Sequence, residues 1–415
     1  MNDPWKTDQW FTSFLNFEPE ARSEVHFPAK VQFHDVSLRD GEQQTGVVFS
    51  AEDKIRIAEK LDEVGIHRIE AGMPAVSPDD EKAVRAIARL GLKAKVFGFS
   101  RCIVDEVKRI ADMGVNGVVI EIPTSEHLLK HAYRWPIEKA IELSVSATRT
   151  AHENGLYTVF FTIDGTRTDF EWYLRLVETV AREGHMDSLA VVDTFGSLMP
   201  STVPSYVRRL KSRIKVPLEI HFHDDYGCGT ANTLLALANG AEVAHTTVTS
   251  IGERAGNVGY EELALALLTC YGVDTGLKHA KMSELSRLVR EIAKISIPTN
   301  RPIVGDLLFQ IESGIIATWF LNCGDEHVLE CFPYHWRLVG QRSAGVVLGK
   351  NSGLDSVRHW LTKIGREVSE DQLPMLLTDV KRRSYELRGL LTEEDFERLV
   401  ENYVTTKQAT LKGAD

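Results

Sequence analysis

The sequence predicts an α/β fold, a closed (β/α)8 barrel followed by an appended, mostly helical region. Three observations predict it: short apolar or β-branched runs recur between residues 31 and 250, helical patterns lie between them, and the rhythm changes near residue 275. Eight such runs are present, spaced roughly 25 to 35 residues apart, which is the length of a strand, a helix and two loops. Eight strand–helix units in series is the number that closes a barrel.

Each element has its own sequence signal. The predicted strands are 31–36, 67–71, 94–99, 117–122, 157–163, 188–193, 217–223 and 243–248. The first helix, 51–64, places its apolar residues near one face and follows Ser50, which can cap it. An open doubly wound sheet is the alternative, but it usually has fewer strands and a Gly-rich turn after the first of them. The turn here is Arg39-Asp40-Gly41-Glu42, which lacks a G-x-G-x-x-G pattern.

The chain is predicted to have three parts: an aromatic N-terminal arm (1–30), the barrel (31–275) and a helical accessory region (276–415). The arm mixes Trp and Phe with charged residues, which suits packing on the body of the protein or on a partner subunit. In the accessory region, helices are predicted at 278–296, 354–364, 370–388 and 392–405. No clear flexible linker precedes this region, so it is expected to dock on the barrel or on a second subunit.

Composition and charge exclude several classes of protein. With 48 Lys+Arg against 59 Asp+Glu, the net charge of −11 argues against non-specific nucleic-acid binding. No run of about 18 apolar residues is present, so no membrane span is expected. The N-terminus lacks a basic segment followed by an apolar one, so it is not read as a secretory signal. The five cysteines are odd in number and form no CxxC pair, which favours reduced thiols and a cytoplasmic location.

Polar residues at the ends of predicted strands indicate a divalent-metal site. Asp40 follows strand one, and His221 and His223 end strand seven with their side chains on the same side of it. In such a barrel the carboxyl ends of the strands converge. One carboxylate and two imidazoles are an ordinary ligand set for an ion such as Zn, Mn or Mg. The alternative is a solvated strand end with incidental histidines.

Three neighbouring features each have two interpretations. Arg39 either forms a local ion pair at the turn or polarises a developing oxyanion on an oxo acid. Glu70, at the end of strand two, either orients Arg39 or a water, or acts as a second acid. The Gly-rich segment 251–259 is either a helix-capping turn or a close-approach loop that places Asn257 beside the metal.

Several motifs recur in the order found in a known family. They are LRDGEQQTGVVFSAEDK (38–54), IEAGMP (69–74), DTFG (193–196), HFHDDYG (221–227), GERAGN (252–257), PIVG (302–305), ESGI (312–315) and LGKNSG (348–353). On these motifs the chain resembles the DRE-TIM metallolyases, TIM-barrel enzymes, and within them the Claisen-condensing branch of 2-isopropylmalate, citramalate and homocitrate synthases. The resemblance covers roughly residues 30 to 400. GCGTAN (227–232) and PTSEHLLK (123–130) are most similar to homocitrate synthase.

The resemblance implies roles for individual residues. The implied metal ligands are Asp40, His221, His223 and Asn257. The implied catalytic residues are Arg39, Glu70 and Thr194, and the implied substrate-binding residues are Arg39, Gln43 and Thr194. In the family, Arg stabilises the enolate or carbonyl oxygen, and Thr helps to hold the oxo-acid carboxylate.

The resemblance also implies an activity. An acyltransferase of this branch forms an enolate from an acyl-CoA, with acetyl-CoA as the expected donor, joins it to a 2-oxo acid, and hydrolyses the thioester to free CoA. A divalent metal and a homodimer with exchanged accessory elements are implied as well. The alternatives are a carbon–carbon lyase of the HMG-CoA lyase or aldolase type on the same site, and a non-catalytic relative that binds a metal or ligand.

Two positions depart from the family pattern. Ile163 occupies the place of a Glu after strand five, and Ile316 that of a His after the ESGI motif. Isoleucine neither moves a proton nor binds a carboxylate, so Glu70, Asp164 or a bound water must serve as base, or the reaction differs. Side chains such as Glu121, His131 and Arg134 are candidates for setting the size of the substrate.

Overall fold

Eight parallel strands close into a barrel in the computed structural model of the protein, which describes residues 3–404. The strands, in order, are β1 (Gln32–Asp35), β2 (Arg68–Glu70), β3 (Lys95–Arg101), β4 (Gly117–Pro123), β5 (Tyr157–Ile163), β6 (Ser188–Asp193), β7 (Leu218–Phe222) and β8 (Val243–Thr246). Each strand pairs with the next, and β8 pairs with β1, with His34 opposite His245. The predicted fold class is confirmed, and every predicted strand end lies within two residues of its observed position.

Helices lie between successive strands and continue after the barrel. Those up to the end of the barrel are α1 (Pro19–Arg22), α2 (Ala51–Val64), α3 (Pro78–Ile87), α4 (Val104–Ala111), α5 (Glu126–Leu128), α6 (Ile137–Glu153), α7 (Phe170–Glu183), α8 (Val203–Arg213), α9 (Gly229–Leu237) and α10 (Tyr260–Tyr271). After it come α11 (Met282–Ala293), α12 (Gly314–Cys323), α13 (Leu354–Lys363), α14 (Leu373–Leu387) and α15 (Glu393–Val404). The predicted accessory helices correspond to α11, α13, α14 and α15, whereas α12 is not among the predicted helices.

The helix α2 illustrates how local sequence sets these elements. Ser50 accepts a hydrogen bond from the Asp53 amide at 3.2 Å, and the Asp53 carboxylate accepts one from the Ser50 amide at 3.1 Å. This reciprocal cap satisfies two backbone donors that the first turn leaves free. The helix ends at Gly65, whose φ of 99° is a left-handed conformation that glycine adopts without strain.

The described residues form two compact units, and the three-part division at residues 30 and 275 stays a prediction. One unit comprises residues 13–298 and 302–304, and the other comprises 3–12, 299–301 and 305–404. Residues 1–2 of the predicted arm and 405–415 of the predicted accessory region lie outside the described residues.

Specific contacts explain where the units divide. Residues 3–12 of the arm join the accessory unit, since the Phe11 amide donates to the Pro333 carbonyl at 2.9 Å. The later part of the arm belongs to the barrel unit, where Arg22 donates to the Tyr271 carbonyl at 2.9 Å. The helix α11 also belongs to the barrel unit because it packs on α2.

The two units have different interiors. Inside the barrel, aromatic and β-branched side chains from β3 to β6 form one cluster: Phe97, Phe99, Val119, Val159, Phe161, Ala190 and Val192. The accessory unit has a core built on α13, α14 and α15: Leu348, Val357, Trp360, Leu361, Leu373, Leu376, Val380, Leu391, Phe396 and Val400. Among residues 3–404, no helix is both long enough and apolar enough to cross a membrane.

Candidate metal centre

The structure brings Asp40, His221 and His223 together at the carboxyl ends of β1 and β7. One ligand atom from each lies within 4.8 Å of the others, and His221 Nε2 is 3.4 Å from Asp40 Oδ2. All three residues are buried. His221 Nε2 and His223 Nδ1 have no hydrogen-bond partner among residues 3–404. Buried lone pairs without partners are costly unless a ligand satisfies them, so this cluster fits a divalent cation.

The electrostatics of the cluster favour the protonation states that bind a cation. Burial lowers the pKa of His221 to about 3, against the opposing effect of Asp40. Burial tends to raise the pKa of Asp40, but Arg39 and the two imidazoles outweigh it and hold that pKa well below its usual range. A neutral imidazole beside an ionised carboxylate is the form that coordinates metal.

Arg39 is fixed by three acceptors and keeps one nitrogen free of protein partners. Its Nε donates to Glu70, and its Nη1 donates to Asp40 at 2.8 Å and to Gln43 at 3.4 Å. The guanidinium also lies over the Phe99 ring, 3.9 Å from its centroid. Nη2 is buried and has no hydrogen-bond partner in the described part of the chain. The ion pair at the turn is therefore real, and it leaves one buried donor of Arg39 without a partner among the described residues.

The loop after β8 approaches the cluster closely. Asn257 Nδ2 donates to Asp40 Oδ1 at 2.7 Å, and Asn257 forms a backbone bridge with His223. A Cβ on Gly256 would lie 1.9 Å from the Ser250 carbonyl oxygen, so only glycine fits there. In this arrangement Asn257 orients Asp40, and its predicted role as a metal ligand stays a prediction.

Thr194 lies at the end of β6, where its hydroxyl accepts from the Asp164 amide at 2.8 Å. The Asp164 carboxylate is itself surrounded by donors: Ser125 at 2.7 Å, His127 at 2.9 Å and Arg167 at 2.7 Å. Because both of its oxygens are occupied, Asp164 is poorly placed to act as the base suggested by the sequence.

The remaining sequence candidates are more dispersed. Glu121 lies on β4, where burial raises the pKa of its carboxyl although Arg39 opposes the shift. His131 and Arg134 are exposed in the segment after β4. Ile163 is the last residue of β5, and Ile316 packs in the accessory unit against an apolar cluster of Ile311, Ala317 and Val346.

Sequence reasoning missed a second buried cluster on the strands below the first. His34, Glu219 and His245 also place ligand-type atoms within 4.8 Å of one another. Burial tends to raise the pKa of Glu219, but Arg68 and His245 outweigh it and hold that pKa well below its usual range. A signal was present on β7, where Glu219 precedes His221 by two residues and so shares its face.

A cavity of about 650 Å³ opens beside Arg39 and Gln43. Its wall is largely apolar, with Val47, Phe49 and Met73 among the lining residues. Lys54 also lines it; this side chain is 1% exposed and bonds to Glu42 and Asp80. The cavity therefore combines an apolar surface with the polar side chains of Arg39 and Gln43.

A closed parallel barrel with a buried carboxylate–imidazole cluster at the carboxyl ends of its strands is the architecture of a metal-dependent (β/α)8 enzyme. The chain belongs to the HMGL-like family, which matches residues 30–289. Its similar proteins place it in the synthase branch of the DRE-TIM superfamily, so the resemblance noted in the sequence is confirmed.

Two curated relatives illustrate this placement. The homocitrate synthase AksA of Methanothermobacter thermautotrophicus is 36% identical over 95% of this chain and 98% of its own length. The 2-isopropylmalate synthase of Methanocaldococcus jannaschii is 33% identical over 93% of this chain and 74% of its own length. The chain is an enzyme of the same synthase class.

Solved structures share the barrel. The HMG-CoA lyase of Bacillus subtilis matches with a TM-score of 0.59 at 22% identity, covering 66% of this chain and 96% of the lyase. At that identity the likeness concerns the fold alone.

Proposed function

We propose that the protein is a metal-dependent acyltransferase that condenses an acyl-CoA, with acetyl-CoA as the expected donor, with a 2-oxo acid. The products are a 2-hydroxy-2-alkyl dicarboxylic acid of the alkylmalate or homocitrate type and free CoA. One observation carries the proposal: the buried imidazole lone pairs of His221 and His223, and a buried N–H of Arg39, lack partners among the described residues.

The proposed reaction forms one carbon–carbon bond and breaks one thioester. The α-carbon of the acyl thioester gives a proton to a base, and its electron pair attacks the ketone carbon of the 2-oxo acid. The ketone oxygen takes up a proton and becomes the 2-hydroxyl group. Water then cleaves the thioester, so that the sulfur leaves as the CoA thiol and a carboxylate remains.

Arg39 is the residue expected to stabilise negative charge on oxygen. Glu70 and Asp40 hold the guanidinium in place, which leaves Nη2 to donate to a developing oxyanion without further rearrangement. A divalent ion, Mg²⁺, Mn²⁺ or Zn²⁺, held by Asp40, His221 and His223 with Asn257 beside them, would supply Lewis-acid polarisation and a template for the oxo acid.

Glu70 and Thr194 complete the proposed catalytic set. Burial raises the pKa of Glu70 although Arg39 opposes the shift, which makes its carboxylate more basic than an exposed one. Its Oε2 has no hydrogen-bond partner in residues 3–404. Both properties support Glu70 as a proton acceptor in place of the missing polar groups at Ile163 and Ile316. Thr194, whose hydroxyl proton is not committed by the bond from Asp164, can donate to a substrate carboxylate.

The extent of the similarity favours condensation over cleavage. The homocitrate synthase matches 95% of this chain, including the accessory region. The HMG-CoA lyase matches 66% of it. A lyase on the same site remains the second candidate, because cleavage needs the same oxyanion stabilisation and tolerates isoleucine at position 316.

The cavity beside Arg39 suits the acyl donor. Its apolar wall of Val47, Phe49 and Met73 would cover the non-reacting part of an acyl thioester, while Arg39 and Gln43 face the reacting carbonyl groups. Exclusion of water from such a wall strengthens every polar interaction at the reacting end.

We further propose a cytoplasmic homodimer. The helix α12 exposes Ile315 and Trp319, with 69% and 55% of their surface accessible, one turn apart on the same face. An apolar stripe of this kind is typical of a surface covered by another subunit. Light scattering should give the mass of a dimer for the native chain and a smaller mass for Trp319→Arg; a monomeric native chain would contradict the proposal.

The activity is tested by thiol release. The purified protein is incubated with acetyl-CoA, a broad panel of 2-oxo acids and each divalent metal in turn, and the product is identified by mass spectrometry. We expect CoA thiol to appear only when an oxo acid and a metal are both present. No release with any oxo acid would reject the synthase, and cleavage of 3-hydroxyacyl thioesters without condensation would establish the lyase.

A further inference from the structure

A line of buried side chains leads from the metal cluster into the barrel. His221 Nδ1 lies 3.3 Å from His245 Nδ1, and His245 Nε2 lies 2.7 Å from Glu219 Oε2. Each of these residues is at most 1% exposed. Because β7 and β8 are neighbouring strands of the barrel, these contacts link side chains of adjacent strands inside it.

The carboxylate at the end of this line is fully engaged. Glu219 Oε1 accepts from Arg68 at 2.7 Å and from Ser188 at 2.6 Å, while Oε2 faces His245. Although the residue types resemble a second metal site, a cation there would have to displace donors and lie beside the Arg68 guanidinium. Glu219 therefore acts as an acceptor for protein donors rather than as a metal ligand.

Matching donors to acceptors from Glu219 through His245 to His221 assigns the tautomer of each imidazole. An ionised Glu219 can only accept, so His245 carries its proton on Nε2. With Nε2 donating to Glu219, Nδ1 of His245 is the acceptor in the contact with His221, and the proton between the two Nδ1 atoms belongs to His221. His221 is left with a lone pair on Nε2, the atom that faces Asp40.

We propose that His245 and Glu219 are positioning residues that fix the tautomer and ring orientation of His221 for metal binding. This inference rests on the proposed metal site and adds two residues to it. Outer partners of metal-binding histidines commonly have this role, since they hold the ring and make its free nitrogen more basic.

Without His245, a competing arrangement becomes available. His221 can place its proton on Nε2 and donate to Asp40 Oδ2, which already lies 3.4 Å away. That hydrogen bond would occupy both ligand atoms at once, so an incoming cation would have to break it. The contacts of His221 with His245 and of His245 with Glu219 therefore disfavour this tautomer before the cation binds.

Metal affinity tests the proposal directly. The dissociation constant for Zn²⁺ is measured with the full-length protein by competition against a chromophoric chelator. His245→Phe should weaken binding by about 10- to 100-fold, the usual cost of losing such an outer partner. His245→Asn, whose Oδ1 can occupy the place of Nδ1, should recover most of that loss.

His34→Phe is the matched control. His34 lies in the same barrel interior, and its ring centroid is 4.5 Å from that of His245. Its nitrogens lie 3.6 Å from Glu219 and 3.7 Å from Glu70, beyond hydrogen-bond distance of either carboxylate. It does not contact His221 through a hydrogen bond, so its replacement should leave the affinity within about threefold, well below the cost of losing an outer partner. Equal weakening in His34→Phe and His245→Phe would show a purely structural effect and overturn the proposal.

The tautomers provide a readout that is independent of affinity. Nitrogen-15 NMR of histidine-labelled, metal-free protein should show His221 protonated on Nδ1 and His245 on Nε2, and His245→Phe should change the His221 assignment. Finding His221 protonated on Nε2 in the native protein would overturn the proposed positioning role of His245 and Glu219. Asp40→Ala separates this failure from failure of the metal site: if it leaves Zn²⁺ affinity unchanged, the proposed site itself is wrong.

Discussion

Two clusters of the same composition lie inside one barrel and differ in how far protein donors occupy their carboxylates. Asp40, His221 and His223 form the upper cluster, and His34, Glu219 and His245 form the lower one; each combines one carboxylate with two imidazoles, and all six residues are buried. In the upper cluster, Arg39 and Asn257 donate to the carboxylate, and His221 Nε2 and His223 Nδ1 have no partner in the described chain. In the lower cluster, Arg68, Ser188 and His245 all contact the carboxylate, and the nitrogens of His34 lack a hydrogen-bond partner among the described residues.

The difference shows that residue type alone does not define a metal site. A buried lone pair attracts a cation only when protein donors have left it free, and a neighbouring fixed cation makes a second positive charge unfavourable. Arg39 donates to Asp40 at 2.8 Å, much as Arg68 donates to Glu219 at 2.7 Å, so the clusters differ in their further contacts: Asn257 at Asp40, and Ser188 with His245 at Glu219. On the proposals made above, these residue types would coordinate a cation in the upper cluster, whereas His245 and Glu219 of the lower cluster would position His221.

Removing the upper carboxylate should have the largest effect. Asp40→Ala deletes one proposed ligand and removes one of the two carboxylates that hold Arg39, so turnover should fall by at least about 10³-fold, which corresponds to several kcal/mol of lost transition-state stabilisation. Thiol-release rates and metal affinity check this. Asp187→Ala, which removes a carboxylate that caps the Thr158 amide instead, should leave both unchanged; equal losses in the two variants would contradict the comparison.

Removing the fixed cation of the lower cluster should destabilise the fold. Arg68→Met leaves Glu219 buried without its 2.7 Å partner, a change that costs about 3–5 kcal/mol in the free energy of unfolding. Denaturant unfolding measures the loss. Arg68→Met combined with Glu219→Leu should recover most of it. Arg175→Met, which breaks an exposed pair with Glu138, is the control and should cost under about 1 kcal/mol.

Replacing Arg39, the guanidinium beside the upper cluster, with lysine should reduce catalysis more than metal binding. Lysine cannot reproduce the three contacts of Arg39 and still aim a free donor at the substrate. Arg39→Lys should therefore lower kcat by about 10²- to 10³-fold, the cost of one oxyanion donor. The matched control is Arg101→Lys, because the exposed Arg101 side chain forms an ion pair with Glu106. A kcat for Arg39→Lys close to that of the control would remove Arg39 from the proposed chemistry.

A third carboxyl, Asp35 at the end of β1, forms no ion pair with any of residues 3–404. Burial raises its pKa from 3.8 to about 7, although the Ser37 amide and hydroxyl donate to it. A raised carboxyl pKa means that the native state holds its proton while the unfolded state has lost it. Its contribution to stability is therefore full below pH 3.8 and declines as the pH rises to about 7.

Asp35→Asn should remove this pH dependence of the free energy of unfolding. It is the smallest of the expected effects. Between pH 5 and 7 the native protein should lose about 2 kcal/mol more stability than the variant, because each pKa unit corresponds to 1.36 kcal/mol. Denaturant unfolding at the two pH values measures it. Identical slopes in both proteins would mean that Asp35 is not protonated in the fold.

Much of the fold could be predicted because its signals are local. The eight strands read as apolar runs, and the cap of α2 needs only Ser50 and Asp53, which are three residues apart. The candidate ligands were found for a similar reason: Asp40 and His223 follow strands, and the carboxyl ends of barrel strands must converge. Asp40, His221 and His223 do meet, as their places at the ends of strands predicted.

Other features could not be predicted because they depend on which strands become neighbours. The boundary near residue 298 follows from the packing of α11 on α2, which no local pattern reveals. The occupation of Asp164 by Ser125, His127 and Arg167 likewise combines three separate segments.

The amino-acid sequence by itself determined the barrel, its family and the residues able to bind a cation. Apolar periodicity and the polar residues at strand ends are local patterns, which can be read without knowing which strands become neighbours. Only the tertiary structure decided which of those residues keep free lone pairs. Closure of β8 onto β1 sets His245 beside His34, and the pairing of β7 with β8 sets it beside Glu219 and His221. Hydrogen-bond partners over such separations exist only once the ring of strands has closed.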